Sequence, residues 1–231
     1  MNNAAGFTLP ASADTFPKLL LHHASVRGER PSIREKDLGI WQTHTWATVA
    51  AQVRALACGL AAQGLKRGDH LAIIGANRPR IYWSICAAQC LGAVPVGLYQ
   101  DATAAELLYM FQNADIRYAI VEDQEQVDKV LEIKEQAPGI AHIYYDDPRG
   151  LRKYVQPELL SYEALQNVGR KYDADHPGFF DGEVAEGKGS DAAAMFTTSG
   201  TTGDPKGVVH THASLIDRAK AGCEFDKLTP V

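Results

Sequence analysis

Excess positive charge is missing from this sequence: 23 Lys and Arg stand against 28 Asp and Glu, a formal net charge of -5. A chain without a basic face has no electrostatic footprint for nucleic acid, so that partner class is excluded. Like charges do not gather into a tail either. Cysteine is scarce, with four residues at 58, 86, 90 and 223 in irregular spacing. They read as small buried apolar residues in a reducing compartment; Cys86 and Cys90, four apart, would share a helix face, which leaves a metal pair conceivable beside that plainer reading. No long uninterrupted apolar run exists. The longest, "IYWSICAAQCLGAVPVG", is broken by Ser84, Gln89 and Pro95 and is shorter than the ~20 residues of a spanning helix. The start, "MNNAAGFTLPASADTFP", lacks the basic and apolar regions of a secretory signal. These absences read as a soluble, cytoplasmic protein with no integral membrane segment, leaving room for peripheral membrane contact and for a homo-oligomer.

What is present suffices for a core: 45% of the 231 residues are hydrophobic, enough for one large domain or two small ones. Asp14 is placed to cap a first helix running to about Arg27. "PSIREKDLGIWQTHTW" alternates in two runs around a turn at 37–39, the pattern of a hairpin. Thr45 is a good N-cap for a helix whose stripe is Val49, Val53, Leu56 and Leu60, stopped by Gly64. From "HLAIIGA" onward, short apolar runs alternate with helical periods, and Thr103 with Glu106 forms a capping box. Ser161 to Arg170 reads as a further short helix. The order predicts an α/β fold, a layered and mostly parallel sheet with flanking helices over residues 47–172. Residues 173–191 are rich in Gly, Asp and Pro without a period and read as a connecting segment. Residues 192–212 then predict a separate antiparallel hairpin carrying a loop, with a helix beginning near Ala213. Trp41, Trp46 and Trp83 are expected in the core.

The loop inside "TTSGTTGDPKGVVHTH", residues 197–212, is the most informative stretch. Gly200, Gly203 and Gly207 permit positive φ and close backbone approach. Consecutive amides in such a loop form an anion-binding concavity. Ser199, Thr201 and Thr202 add hydroxyl donors, and Lys206 adds a point charge suited to phosphate. Every group donates, so the natural ligand is a polyanion such as a nucleotide triphosphate. It is not a Walker A loop, because Lys206 follows Pro205 and β-branched valines come next rather than a helix. Asp204 reads as a turn residue. His210 and His212 alternate on a strand face, but no third ligand stands nearby and packing or helix entry is the preferred role.

Taken in order, "TSGTTGDPKG" resembles the phosphate-binding signature of adenylate-forming (AMP-binding) enzymes, the group of acyl-CoA synthetases, luciferase-like enzymes and peptide-synthetase adenylation domains. The stretch from "TWATVAAQ" to "VPVGLY" looks like the N-terminal part of acyl-CoA synthetases. "VEDQEQVDKVLEI" and "YYDDPRGLRKY" are similar to the long-chain fatty acid-CoA ligase branch. This resemblance implies activation of a carboxylic acid by ATP through an acyl-adenylate, then transfer to the thiol of coenzyme A, with Mg²⁺ as cofactor. It places Thr198, Ser199, Gly200, Thr201, Thr202, Gly203 and Lys206 on the triphosphate-contacting loop, with Thr198 near Mg²⁺ and Lys206 as the catalytic charge contact. An aryl- or amino acid-adenylating relative, or a non-catalytic remnant serving as a binding module, are the alternatives. Family members are longer chains, whose downstream part carries the metal-binding Glu, the ribose-binding Asp, the acyl pocket and a C-terminal lid. Residues 1–231 therefore read as the N-terminal part of the large domain without the lid, inactive when alone.

Overall fold

The computed structural model describes residues 10–198 and 206–228. Helix α1 (Phe16–Arg27) leads into the antiparallel hairpin β1 (Pro31–Asp37) and β2 (Ile40–Thr45), then α2 (Trp46–Ala62). The alternating region runs β3 (His70–Ile74), α3 (Pro79–Cys90), β4 (Val94–Leu98), α4 (Ala104–Asn113), β5 (Tyr118–Val121), α5 (Gln124–Ile133) and β6 (His142–Tyr145). After a 3-10 turn come β7 (Leu159–Ser161), α6 (Tyr162–Asp175) and α7 (Phe179–Glu186). The chain closes with β8 (Ala192–Thr198), β9 (Lys206–Thr211) and α8 (His212–Phe225).

Local chemistry sets most of these boundaries. Thr45 Oγ1 accepts from the Thr48 amide, and Thr103 and Glu106 complete the capping box at α4. Each satisfies amides that the first helical turn leaves unpaired. Pro79 opens α3 at a position where its missing N–H costs nothing. Capping of α1 differs from expectation. Thr15 accepts from the Lys18 amide at 3.3 Å, while Asp14 accepts from Lys18 Nζ at 2.9 Å and from the Gly189 amide at 2.8 Å. Asp14 thus ties the helix start to a distant segment instead of capping it.

Among the described residues, seven strands form one sheet in the order β7-β6-β5-β3-β4-β8-β9, every neighbouring pair parallel except β8 with β9. The mostly parallel α/β sheet is as expected, but the hairpin is not separate from it. Val96 and Gly97 of β4 face Met195 and Phe196 of β8, so β8 and β9 extend the sheet to its edge. One face packs on α1, α2, α3, α6 and α7 through Val53, Leu56, Leu60, Trp83, Tyr144 and Leu165. The other packs on α4 and α5 through Ile74, Val96, Phe111, Val121, Val127 and Ile143. Strands so covered must be apolar on both sides.

The segment 173–191 is not an irregular connection. It holds the end of α6 and all of α7, because Phe180 and Val184 bury themselves and Arg54 of α2 binds both Asp173 and Asp181. Trp83 is buried and Trp46 lies part-buried against His23, but Trp41 is 59% exposed on the β1–β2 hairpin with Arg34 over its ring. A two-stranded hairpin has a solvent face, and position 41 lands on it.

Candidate functional site

The parallel strands end together along one edge of the sheet, the edge outside which ligands bind in open α/β folds. Strand β8 delivers Thr198 to that edge, and Lys206 pairs with it across the hairpin. Register through the pair is continuous from Ala194 with His210 to Thr198 with Lys206. A Cβ at Gly207 would sit 2.9 Å from Met195 Sδ, so a larger residue there would make the Met195 side chain shift. Lys206 is exposed at the first position of β9. Of the other residues singled out from sequence, Ser199, Gly200, Thr201, Thr202 and Gly203 lie outside the described residues, as does the side chain of Thr198.

His210 and His212 do not form a pair. His210 stays on β9 with its ring 5.6 Å from that of Phe196. His212 begins α8, is buried, and its Nδ1 accepts from the Phe16 amide at 3.3 Å. Burial holds its pKa down to about 4 against the opposing pull of Asp191 and Asp14. A neutral imidazole used as an acceptor is a packing role at helix entry.

Three strands inward, the same edge carries charged groups that sequence reading missed. Glu122, directly after β5, accepts from the Ala76 amide at 2.6 Å and pairs with Arg78 Nε at 3.0 Å. Arg80 pairs with Asp146 after β6 and lies 5.1 Å over the Tyr162 ring. Burial pushes the Asp146 carboxyl up despite Arg80. Beyond it, the exposed Arg149 holds the half-buried Asp147 carboxyl below its usual range. The available signal was positional: each acid follows an apolar run that becomes a strand. These groups satisfy one another and fix the loops after β3, β5 and β6.

Among the described residues no three His, Cys, Asp or Glu side chains gather as a metal site. Of the conceivable cysteine pair, Cys90 is buried and Cys86 half-buried. Burial pushes the Cys90 thiol well up, with Cys86 adding to it, and Cys58 is pushed up to about 12. Thiols held protonated in this way are poor nucleophiles at neutral pH. None of the described helices is long and apolar enough to cross a membrane.

Comparison with known proteins adds the family. The family described as AMP-binding enzyme matches residues 20–230. The long-chain-fatty-acid–CoA ligase ACSBG2 of Xenopus laevis is 26% identical over 208 residues, covering 90% of this chain and 27% of that protein. The long-chain-fatty-acid–CoA ligase FadD15 of Mycobacterium tuberculosis is 29% identical over 184 residues, covering 79% of this chain and 28% of that protein. The solved acetoacetyl-CoA synthetase of Streptomyces lividans superimposes with a TM-score of 0.78 at 22% identity, covering 94% of this chain and 33% of that one. The chain thus spans about a quarter of the length of the curated relatives it matches.

Proposed function

The chain belongs to the AMP-binding enzyme family, and from that premise we propose that it forms the nucleotide-gripping part of a long-chain fatty acid-CoA ligase. The whole protein would join a fatty carboxylate to the α-phosphate of ATP, release pyrophosphate, and pass the acyl group to coenzyme A. The observation that carries this reading is the pairing of Thr198 with Lys206 at the carboxyl edge of a parallel sheet. It sets the two ends of the glycine- and hydroxyl-rich stretch where α/β folds bind ligands. The fatty acid is supported by the names of the two long-chain-fatty-acid–CoA ligases to which the chain is similar.

The chemical obstacle is the approach of two anions. Unit charges ~4 Å apart repel by about 4 kcal/mol at an effective dielectric of ~20. Lys206, with the amides and hydroxyls of 198–203, would offset that repulsion and stabilise the leaving pyrophosphate. Little proton transfer is required, so this part of the chain needs no nucleophile–base pair. Mg²⁺ would supply further charge neutralisation when bound. Among the described residues no carboxylate set stands to hold it. Thr198 is proposed as the hydroxyl nearest to it.

The test is carboxylate-dependent exchange of pyrophosphate into ATP by the full-length polypeptide, assayed across acids of increasing chain length. Palmitate-like acids should support exchange and aryl or amino acids should not. Lys206→Ala should lower the rate ~10²-fold, the scale of losing one electrostatic stabiliser. Exchange unchanged in that variant would remove Lys206 from its role.

A further inference from the structure

The start of α1 does more than begin a helix. Asp14 Oδ2 accepts from the Gly189 amide at 2.8 Å, and Lys18 Nζ donates to the Gly187 carbonyl at 2.6 Å and to Asp14 Oδ1 at 2.9 Å. Lys18 in turn holds the Asp14 carboxyl below its usual range. The partners stand 169 and 175 positions apart in the chain, so neither bond is a local turn. Residues 187–191 form the segment that enters β8, and the same segment receives the chain as it leaves β9. The His212 amide donates to the Asp191 carbonyl at 3.1 Å and the Ala213 amide to that of Gly189 at 2.8 Å. Phe16 then donates to His212 Nδ1. Both strands of the hairpin are thus tied, at the end away from Thr198 and Lys206, to the start of one helix. The approach is close: a Cβ on Gly189 would stand 3.3 Å from the Asp14 carbonyl oxygen.

The hairpin is a lever hung on that clamp. Its other attachments are Met195 and Phe196 in register with Val96 and Gly97 of β4, and the Ala193 carbonyl, which accepts from Gln89 of α3 at 2.7 Å. Register between β8 and β9 is irregular between Ala192 and Ala194, and irregularities of this kind bend a strand. Strand β8 runs seven residues from Ala192 to Thr198, a lever of ~20 Å at ~3.3 Å per step. A swing of ~5° at the base of such a lever moves its tip by ~2 Å, and a misplacement of ~1 Å in a positioning group can cost ~10²-fold in rate. We propose that Asp14 and Lys18 are positioning residues for the nucleotide: through 187–189 they fix the tilt of the β8–β9 hairpin and so the place of Lys206. This role rests on the reading of that hairpin as nucleotide-gripping and is independent of the fatty acid. Lys171 and Asp175 provide the contrast, an exposed pair four apart within α6 alone.

The experiment measures ATP binding and amide exchange at 206–211 side by side in the full-length polypeptide. Lys18→Met removes the ammonium and keeps its apolar stem, and Asp14→Ala removes the acceptor of the Gly189 amide. Each should raise the dissociation constant of ATP about tenfold, a part of what an ångström of misplacement costs, and each should quicken exchange at 206–211. Lys18→Arg can still donate to both oxygens and should stay within about twofold of the parent. Lys171→Met, which breaks the pair on α6, should leave both readouts unchanged. Loss of folded protein would lower the number of binding sites without moving the dissociation constant, so a purely structural role is told apart. An unchanged dissociation constant in both Lys18→Met and Asp14→Ala would overturn the proposal. Faster exchange with unchanged affinity would overturn it too, because the tilt would then not matter to the nucleotide. A parent polypeptide that binds no ATP would refute the proposed function instead, and exchange at 206–211 would still decide whether Asp14 and Lys18 hold the hairpin.

Discussion

His212 shows how one side chain can look like chemistry and serve structure. Its alternation with His210 suggested a shared strand face, but the strand ends at Thr211, which caps α8 by accepting from the Ser214 amide. The imidazole therefore turns inward, where Phe16 donates to it and burial keeps it neutral to about pH 4. In the unfolded chain it would take a proton near pH 6.5. The unfolded state then binds more protons between those values, so stability rises with pH across that window. The contribution is full above pH 6.5 and is lost as pH falls toward and through 4. His212→Asn keeps an acceptor but cannot titrate. Its denaturant midpoint should vary less between pH 6.5 and 4 than that of the parent. Some slope should persist, because burial also lowers the pKa of His23 and His142.

Between elements, the tightest contact is α2 against α6. Two glycines let these backbones touch: a Cβ on Gly169 would lie 1.7 Å from the Ala55 carbonyl oxygen, and one on Gly59 would lie 2.3 Å from that of Leu165. Neither neighbour is a side chain that could swing away. Arg54 of α2 then reaches across to Asp173 of α6, Nε to Oδ2 at 2.7 Å, and to Asp181 of α7. Gly169→Ala should destabilise the protein by about 3 kcal/mol or more, at the upper end for overpacking, because the whole helix must move. Urea unfolding of that variant measures it. An unchanged midpoint would mean that α2 and α6 do not pack this closely. Sequence alone marks neither glycine, since both sit inside helical periods where glycine is merely tolerated.

For the molecule as a whole, stability should be graded across the sheet. β3, β4 and β5 lie at its centre with residues such as Leu71, Ala72, Val96 and Ala119 fully buried, whereas β9 has one free edge and exposed valines. Local opening follows few buried contacts and solvent-exposed backbone hydrogen bonds. Native-state hydrogen exchange of the 231-residue chain should therefore rank the amides of β3 and β5 slowest and those of β9 and the end of α8 fastest. Uniform protection would contradict this grading.

The residues near one another in sequence announced their own structure. Thr45, Thr103 and Ser161 cap helices because a hydroxyl meets an amide three residues on, and apolar runs such as "HLAII" became strands because both faces are covered. The signature within 197–207 is likewise a run of consecutive residues, but 199–205 lie outside the described residues. Placement was not legible. That β8 returns past four strands to join β4, that α7 forms within a Gly- and Asp-rich stretch, and that Glu122 anchors the loop at Ala76 all depend on partners far away in the chain. Arg54 and Asp173 are 119 positions apart. Propensity acts over a few residues, while burial and charge pairing act over ångströms, and only a folded sheet brings distant residues within that range.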